Sequence, residues 1–201
     1  MYSFVFLAII SLAAAHVPSV SVPSCPRSNR IAFSKSVPDQ DPFPRTQIDL
    51  CYTSTALSLT FTALDEKSFY FNSSQGTNDD IWAYEVVEAF IYKGTKDPQT
   101  ISNREEGAPF DHFFIADPEA DGFEAETKLN RRAGTWVSKV KIPLGLFNVD
   151  PGCAKGTKWR MNFFRTVTNP KIFPDQELGG WSSPDKASFH ITKFFGHVDF
   201  V

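Results

Sequence analysis

The stretch Ala56-Leu57-Ser58-Leu59-Thr60-Phe61-Thr62-Ala63-Leu64 alternates apolar and hydroxyl-bearing residues almost one for one. Successive side chains of a β-strand point to opposite faces, so Leu57, Leu59, Phe61 and Ala63 make an apolar face and Ser58, Thr60 and Thr62 a polar one. Period-two alternation of this length predicts a half-buried strand. Working outward, short segments rich in β-branched and aromatic residues recur between turn signals. They are Thr46–Tyr52, Tyr84–Tyr92, Phe110–Ala116, Gly122–Leu129, Thr135–Ile142, Trp159–Val167, Ser188–Phe195 and His197–Val201. No stretch carries a helical period of useful length. Many short strands at such spacing predict an all-β fold, an antiparallel, jelly-roll-like β-sandwich in a single domain. The chain has 20 phenylalanines, most of which must then lie in the core. Phe163 and Phe164 put one ring on each face of a strand, so that strand is expected to be covered on both sides.

The ends of the chain read differently. Residues 1–15, MYSFVFLAIISLAAA, are an apolar run closing on small residues, the pattern of a signal peptide. The run is short for a bilayer span, and no later segment is apolar enough to cross, so no membrane insertion is expected after cleavage. Residues 16–45 are rich in Pro and Ser and read as an extended N-terminal arm, and the sandwich is expected over 46–201. The formal charge is −3 with both signs interspersed. No basic stripe marks a nucleic-acid partner. Three cysteines fit an oxidising, extracellular compartment. They allow one intrachain bridge. Cys25 lies in a loop-like stretch and Cys51 at a strand, so these two are expected to pair and leave Cys153 free. Asn72-Ser73-Ser74 is a glycosylation sequon, which fits a surface loop of a secreted protein.

Two tryptophans stand in loop contexts, Trp82 in DIWAYEVVEAFI and Trp181 in GGWSSP. A flat indole is a platform for the apolar face of a sugar ring, and a nearby carboxylate such as Glu88 can accept hydrogen bonds from hydroxyls. Three motifs, IWAYEVVEAFI, KWRMNFFR and WSSP followed by FHITKFFGHVDF, together resemble family 9 carbohydrate-binding modules and their wider, DOMON-related relatives. The arm with its SCPRS looks most like small secreted fungal proteins of this type. The resemblance implies a non-catalytic sandwich that binds a glycan or polysaccharide, as a monomer, by clamping sugar between Trp82 and Trp181. It implies roles in sugar binding for Glu88 and Arg165 as well. The chain departs from that family after Tyr92, where Lys93–Pro109 offers turn residues and charges in place of a strand. If Trp82 and Glu88 shared one continuous strand they would lie about 20 Å apart, so Trp82 must sit on a loop. Asn162 and Arg165 have opposite parity and must face opposite ways.

Other constellations read as structure. Asp117-Pro118-Glu119-Ala120-Asp121-Gly122 resembles a calcium loop, but the twelfth position is Lys128, so an acidic turn is expected, with no cofactor beyond a structural calcium of another kind. Asp111, His112 and His190 have no partner at metal-ligand spacing. His190 reads as a structural histidine in a strand. Glu85 and Glu88 are the carboxylates a glycosidase would need, without a sign that they flank one bond. Met161 sits among aromatic residues and reads as core, against a haem-binding redox sandwich. A secreted structural or interaction sandwich that has lost its sugar site is the main rival to the glycan reading.

Overall fold

The computed structural model describes residues 17–97 and 115–201. Ten strands follow in chain order: β1 (Ser19–Val22), β2 (Asn29–Lys35), β3 (Pro42–Tyr52), β4 (Ala56–Ala63), β5 (Val86–Lys93), β6 (Glu124–Asn130), β7 (Thr135–Pro143), β8 (Lys158–Val167), β9 (Glu177–Gly180) and β10 (Gly196–Phe200). They form two five-stranded sheets. One runs β1-β10-β8-β5 with β9 also on β8, and the other runs β2-β3-β4-β7-β6. All pairings are antiparallel except β1 with β10.

The alternation in β4 appears as expected, with Leu57, Leu59, Phe61 and Ala63 buried. Ile48, Leu50 and Tyr52 of β3 face the same way and meet Trp159, Met161 and Phe163 of β8 and Val198 and Phe200 of β10 in one core. Each large apolar side chain removed from water contributes roughly 1.5–3 kcal/mol.

β8 is covered on both faces, with Phe163 and Phe164 both buried. β9 and β10 flank the same edge of β8, against Phe164–Val167 and Lys158–Met161 respectively. Between them residues 181–195 leave the sheet and fold over its outer face. Phe189 stacks on Phe164 at 4.0 Å between centroids. Asn162 donates to Ser182 O at 2.7 Å and accepts from Ser182 N at 3.0 Å. Arg160 donates to Phe195 O at 2.8 Å. The strand expected over Ser188–Phe195 is therefore a loop with one short 3-10 turn at Thr192–Phe194. Its aromatic residues cover a sheet instead of extending it, and apolar density alone does not distinguish the two. His190 lies in this loop, edge-on to Phe90 at 5.2 Å.

The expected arm is part of the sandwich. β1 extends one sheet and β2 the other, so among the described residues the strands of the sandwich start at Ser19 and not at residue 46. These strands have four and seven residues, and only Val22 of β1 and Ile31 and Phe33 of β2 are buried, too little periodicity to stand out among Pro and Ser. Cys25 and Cys51 form a disulfide, and Cys153 is free and exposed. The gap expected after β5 and the strand expected over Phe110–Ala116 fall largely within 98–114, outside the described residues. The acidic segment Asp117–Gly122 is a turn leading into β6.

The disulfide closes a loop of sequence separation 26 and ties the N-terminal strands to β3. The double substitution Cys25→Ser, Cys51→Ser should lower stability by about 2–4 kcal/mol in denaturant titration. Non-reducing peptide mapping of the native protein should recover the Cys25–Cys51 pair.

Candidate functional site

The site grows from one end of the sandwich, where β8 carries a charge inward. Arg165 has the parity of Trp159, Met161 and Phe163, so its guanidinium enters the core. Its side chain is 0% exposed and that of its partner Glu66 is 1%, at 2.8 Å. Nη1 also donates to Leu64 O at 2.9 Å. Glu66 in turn accepts the backbone N–H groups of Lys67, Ser68 and Phe69 at 2.7, 2.9 and 3.3 Å. Burial pushes the Glu66 carboxyl up, but the Ser68 N–H, the Arg165 guanidinium and the Phe69 N–H outweigh it and hold it below the usual carboxylate range. The structure thus places Arg165 in an interior ion pair, not at the ligand position that the resemblance implies. A charge this deep needs a partner, and Glu66 supplies it.

Glu85 lies beside this pair. Its N–H donates to Tyr70 O at 3.1 Å, and its Oε2 accepts from Tyr70 N at 2.8 Å. Its Oε1 is buried and accepts no N–H or O–H among the described residues, and the carboxyl lies within hydrogen-bonding reach of Glu66. Burial, then repulsion from Glu66, pushes its carboxyl up to about 7. Glu85 stands at the end of an apolar cleft of about 640 Å³ between β5 on one side and β4, β7 and β6 on the other. Among the described residues β6 has no strand facing it, and it is exposed along its whole length.

Trp82 sits at the rim, on a 3-10 turn (Ile81–Ala83) before β5, as the loop requirement demands. It is 59% exposed. Its Nε1 donates to Asp80 Oδ1 at 3.2 Å, and its carbonyl accepts from Gln176 Nε2 at 2.8 Å. Tyr70, Tyr84 and Phe173 form a ring cluster in the neighbouring loops, with Tyr84 stacked on Phe173 at 5.3 Å. Asn72 belongs to the same loop region, where its Oδ1 accepts from Ser74 N and Oγ at 3.0 and 2.7 Å.

Trp181 is placed differently. It lies just past β9, five residues beyond Gln176 and so about 16 Å along the strand from it. Its N donates to Phe163 O at 2.9 Å, and its ring packs on Phe163 and over Gly196. A Cβ at Gly196 would meet that ring at 2.3 Å, so glycine is required there. Two facing indoles were implied; Trp82 is exposed and Trp181 is half-buried against Phe163. Glu88 pairs with Phe164 and so lies on the outer face of β5, half-buried, its carboxyl pushed up to about 7 by burial. Glu85 and Glu88 therefore serve opposite faces and do not flank a common bond. Met161 is fully buried in the core. Among the described residues no three His, Cys, Asp or Glu side chains converge as a metal site. Glu66 carries no motif in the sequence. Its only signal is an acidic pair, Asp65-Glu66, between a strand and an aromatic loop.

The fold defines a class, a β-sandwich of the kind seen in carbohydrate-binding proteins. A candidate carbohydrate-binding protein of Bacteroides uniformis shares it with a TM-score of 0.66 at 15% identity, over 92% of this chain and 99% of that one. A family 9 carbohydrate-binding module of Caldicellulosiruptor kristjanssonii matches in complex with cellotriose, at TM-score 0.53 and 11% identity over 90% and 93% of the two chains. In complex with glucose it matches at 0.55 and 13%, over 91% and 95%. No family model matches the chain. The chain is 54% identical over 212 residues to an extracellular protein of Arthroderma benhamiae, covering 96% of this chain and 95% of that protein, and belongs to its family. The protein is extracellular.

Arg165→Met should destabilise the fold by about 3–5 kcal/mol, because it strands the Glu66 charge in the core. Calorimetry of the variant checks this. Stability should also respond to the two raised carboxyls. Glu85 and Glu88 have folded values near 7 against 4.5 ordinarily. The folded state then binds more protons than the unfolded one between these values, so stability present at low pH is lost as pH rises through about 7. Glu66 works the other way, its contribution being lost only as pH falls below the carboxylate range. The melting temperature should fall between about pH 5 and about pH 7.5, and Glu85→Gln should flatten that slope.

Proposed function

We propose that the protein is an extracellular, non-catalytic saccharide-binding module and that Trp82 is its stacking surface. The observation that carries this reading is an indole left exposed while both its ring nitrogen and its backbone are held, by Asp80 and Gln176. A large apolar ring kept in water but locked in place loses little freedom when a sugar stacks on it, and pre-organisation of this kind favours binding. Asp80, Asp79 and Gln176 supply acceptors and donors around it for sugar hydroxyls. The shared fold supports the reading, because the matched module of Caldicellulosiruptor kristjanssonii was solved with cellotriose and with glucose. In this proposal Trp82 is the platform, Glu88 is a secondary polar contact reached from the outer face of β5, and Trp181 and Arg165 serve the framework. The ligand is a chain end or short oligosaccharide, recognised without bond cleavage.

Titration with glucose and cellotriose should quench or shift tryptophan fluorescence in the wild type. Trp82→Ala should weaken binding at least about tenfold, or 1.4 kcal/mol, with the melting temperature little changed. Trp181→Ala should instead lower stability, by roughly 2 kcal/mol or more, through lost packing on Phe163. Binding that survives Trp82→Ala undiminished would remove the basis of the proposal.

A further inference from the structure

Asn-x-Ser/Thr, with x other than Pro, occurs once in the chain, at Asn72-Ser73-Ser74, and the saccharide site does not use it. The motif falls in the loop between β4 and the 3-10 turn that carries Trp82. Ser73 and Ser74 form an exposed turn there, and Asn72 is half-buried. An asparagine can carry a sugar chain in the folded protein only if its amide nitrogen is not already spent on the fold. Asn29 and Asn78 donate their Nδ2 to Ser21 O and Ile115 O at 3.0 Å, and Asn162 donates its own to Ser182 O at 2.7 Å. Asn72 is different. Its Oδ1 accepts from Ser74 N and Ser74 Oγ at 3.0 and 2.7 Å, while its Nδ2 donates to nothing among the described residues. The amide is planar, so anchoring the oxygen on Ser74 fixes the group and leaves the nitrogen on the other side of Cγ. The loop closes without that nitrogen, through Gln75 N to Asn72 O at 3.2 Å and Gly76 N to Asp79 Oδ2 at 2.7 Å. A Cβ built at Gly76 would meet nothing within 4 Å, so the loop borders open space.

We propose that Asn72 is an N-glycosylation site, its Nδ2 carrying an oligosaccharide received during secretion from a lipid diphosphate-linked donor. The protein is extracellular, and glycosylation of this motif is a modification of secreted surface loops. A C–N bond forms between Nδ2 and the anomeric carbon of the first sugar, and the C–O bond from that carbon to the diphosphate breaks. The lipid diphosphate leaves with the electron pair, Nδ2 gives up one proton, and nothing is oxidised or reduced. Oδ1 keeps both bonds from Ser74, so the folded loop loses no hydrogen bond to the attachment. The inference is independent of the saccharide reading, since neither Trp82 nor Glu88 takes part.

The test uses the protein secreted from a fungal host. Treatment with endoglycosidase H should increase its electrophoretic mobility and leave a single N-acetylhexosamine on the peptide that contains Asn72, read by tandem mass spectrometry. Peptide N-glycosidase F should instead convert Asn72 to aspartate. Asn72→Gln and Ser74→Ala should each migrate, untreated, like the wild type after peptide N-glycosidase F. Ser74→Thr, which keeps the hydroxyl, should keep the glycan. The wild-type peptide map decides the matter even if a variant is not secreted. The proposal is overturned if the Asn72 peptide of the secreted wild type is unmodified, or if a secreted Ser74→Ala variant carries the glycan as fully as wild type.

Discussion

A guanidinium wholly removed from water is the constraint around which one end of this molecule is arranged. Arg165 can lie inside the sandwich only because Glu66 lies there too, 2.8 Å away and equally buried. Glu66 is itself held by three consecutive backbone N–H groups, which bends the chain after β4 into a tight cradle. Gly134 lets that cradle sit against the β6–β7 turn: its φ is +61°, and a Cβ there would meet Glu66 O at 2.9 Å. The loop launched from this cradle carries Phe69, Tyr70 and Phe71 and leads to Trp82. Side-chain chemistry at the surface thus depends on one desolvated ion pair, whose loss would strand a charge with no route back to water.

The same pair sets the protonation of the third group. Burial first, and then the Glu66 carboxylate beside it, push the Glu85 carboxyl up to about 7.

Two-sided burial of β8 makes the two sheets unequal in character. One face of β8 belongs to the sandwich core and the other to the 181–195 excursion. That excursion ties Arg160, Asn162 and Phe164 into a second interior layer. Among the described residues β5 is the edge strand of that sheet.

Much of this was legible in the residues. The period-two run of β4 and the paired phenylalanines of β8 report directly on burial, because side-chain direction along a strand is fixed by the backbone. Opposite parity placed Asn162 and Arg165 on different faces, and the odd cysteine count with its contexts pointed to Cys25 and Cys51. Other features depended on partners remote in sequence. β1 and β2 are too short to show a period, and their identity as strands comes from β10 and β3. The aromatic residues of 188–195 look the same whether they extend a sheet or cover one. The role of Arg165 turned on Glu66, 99 residues away, and that of Trp181 on Gly196 and Phe163. Sequence alone determined which residues avoid water. Only tertiary structure decided which buried charges meet and which indole stays exposed, because those outcomes depend on distances between strands and not on order along the chain.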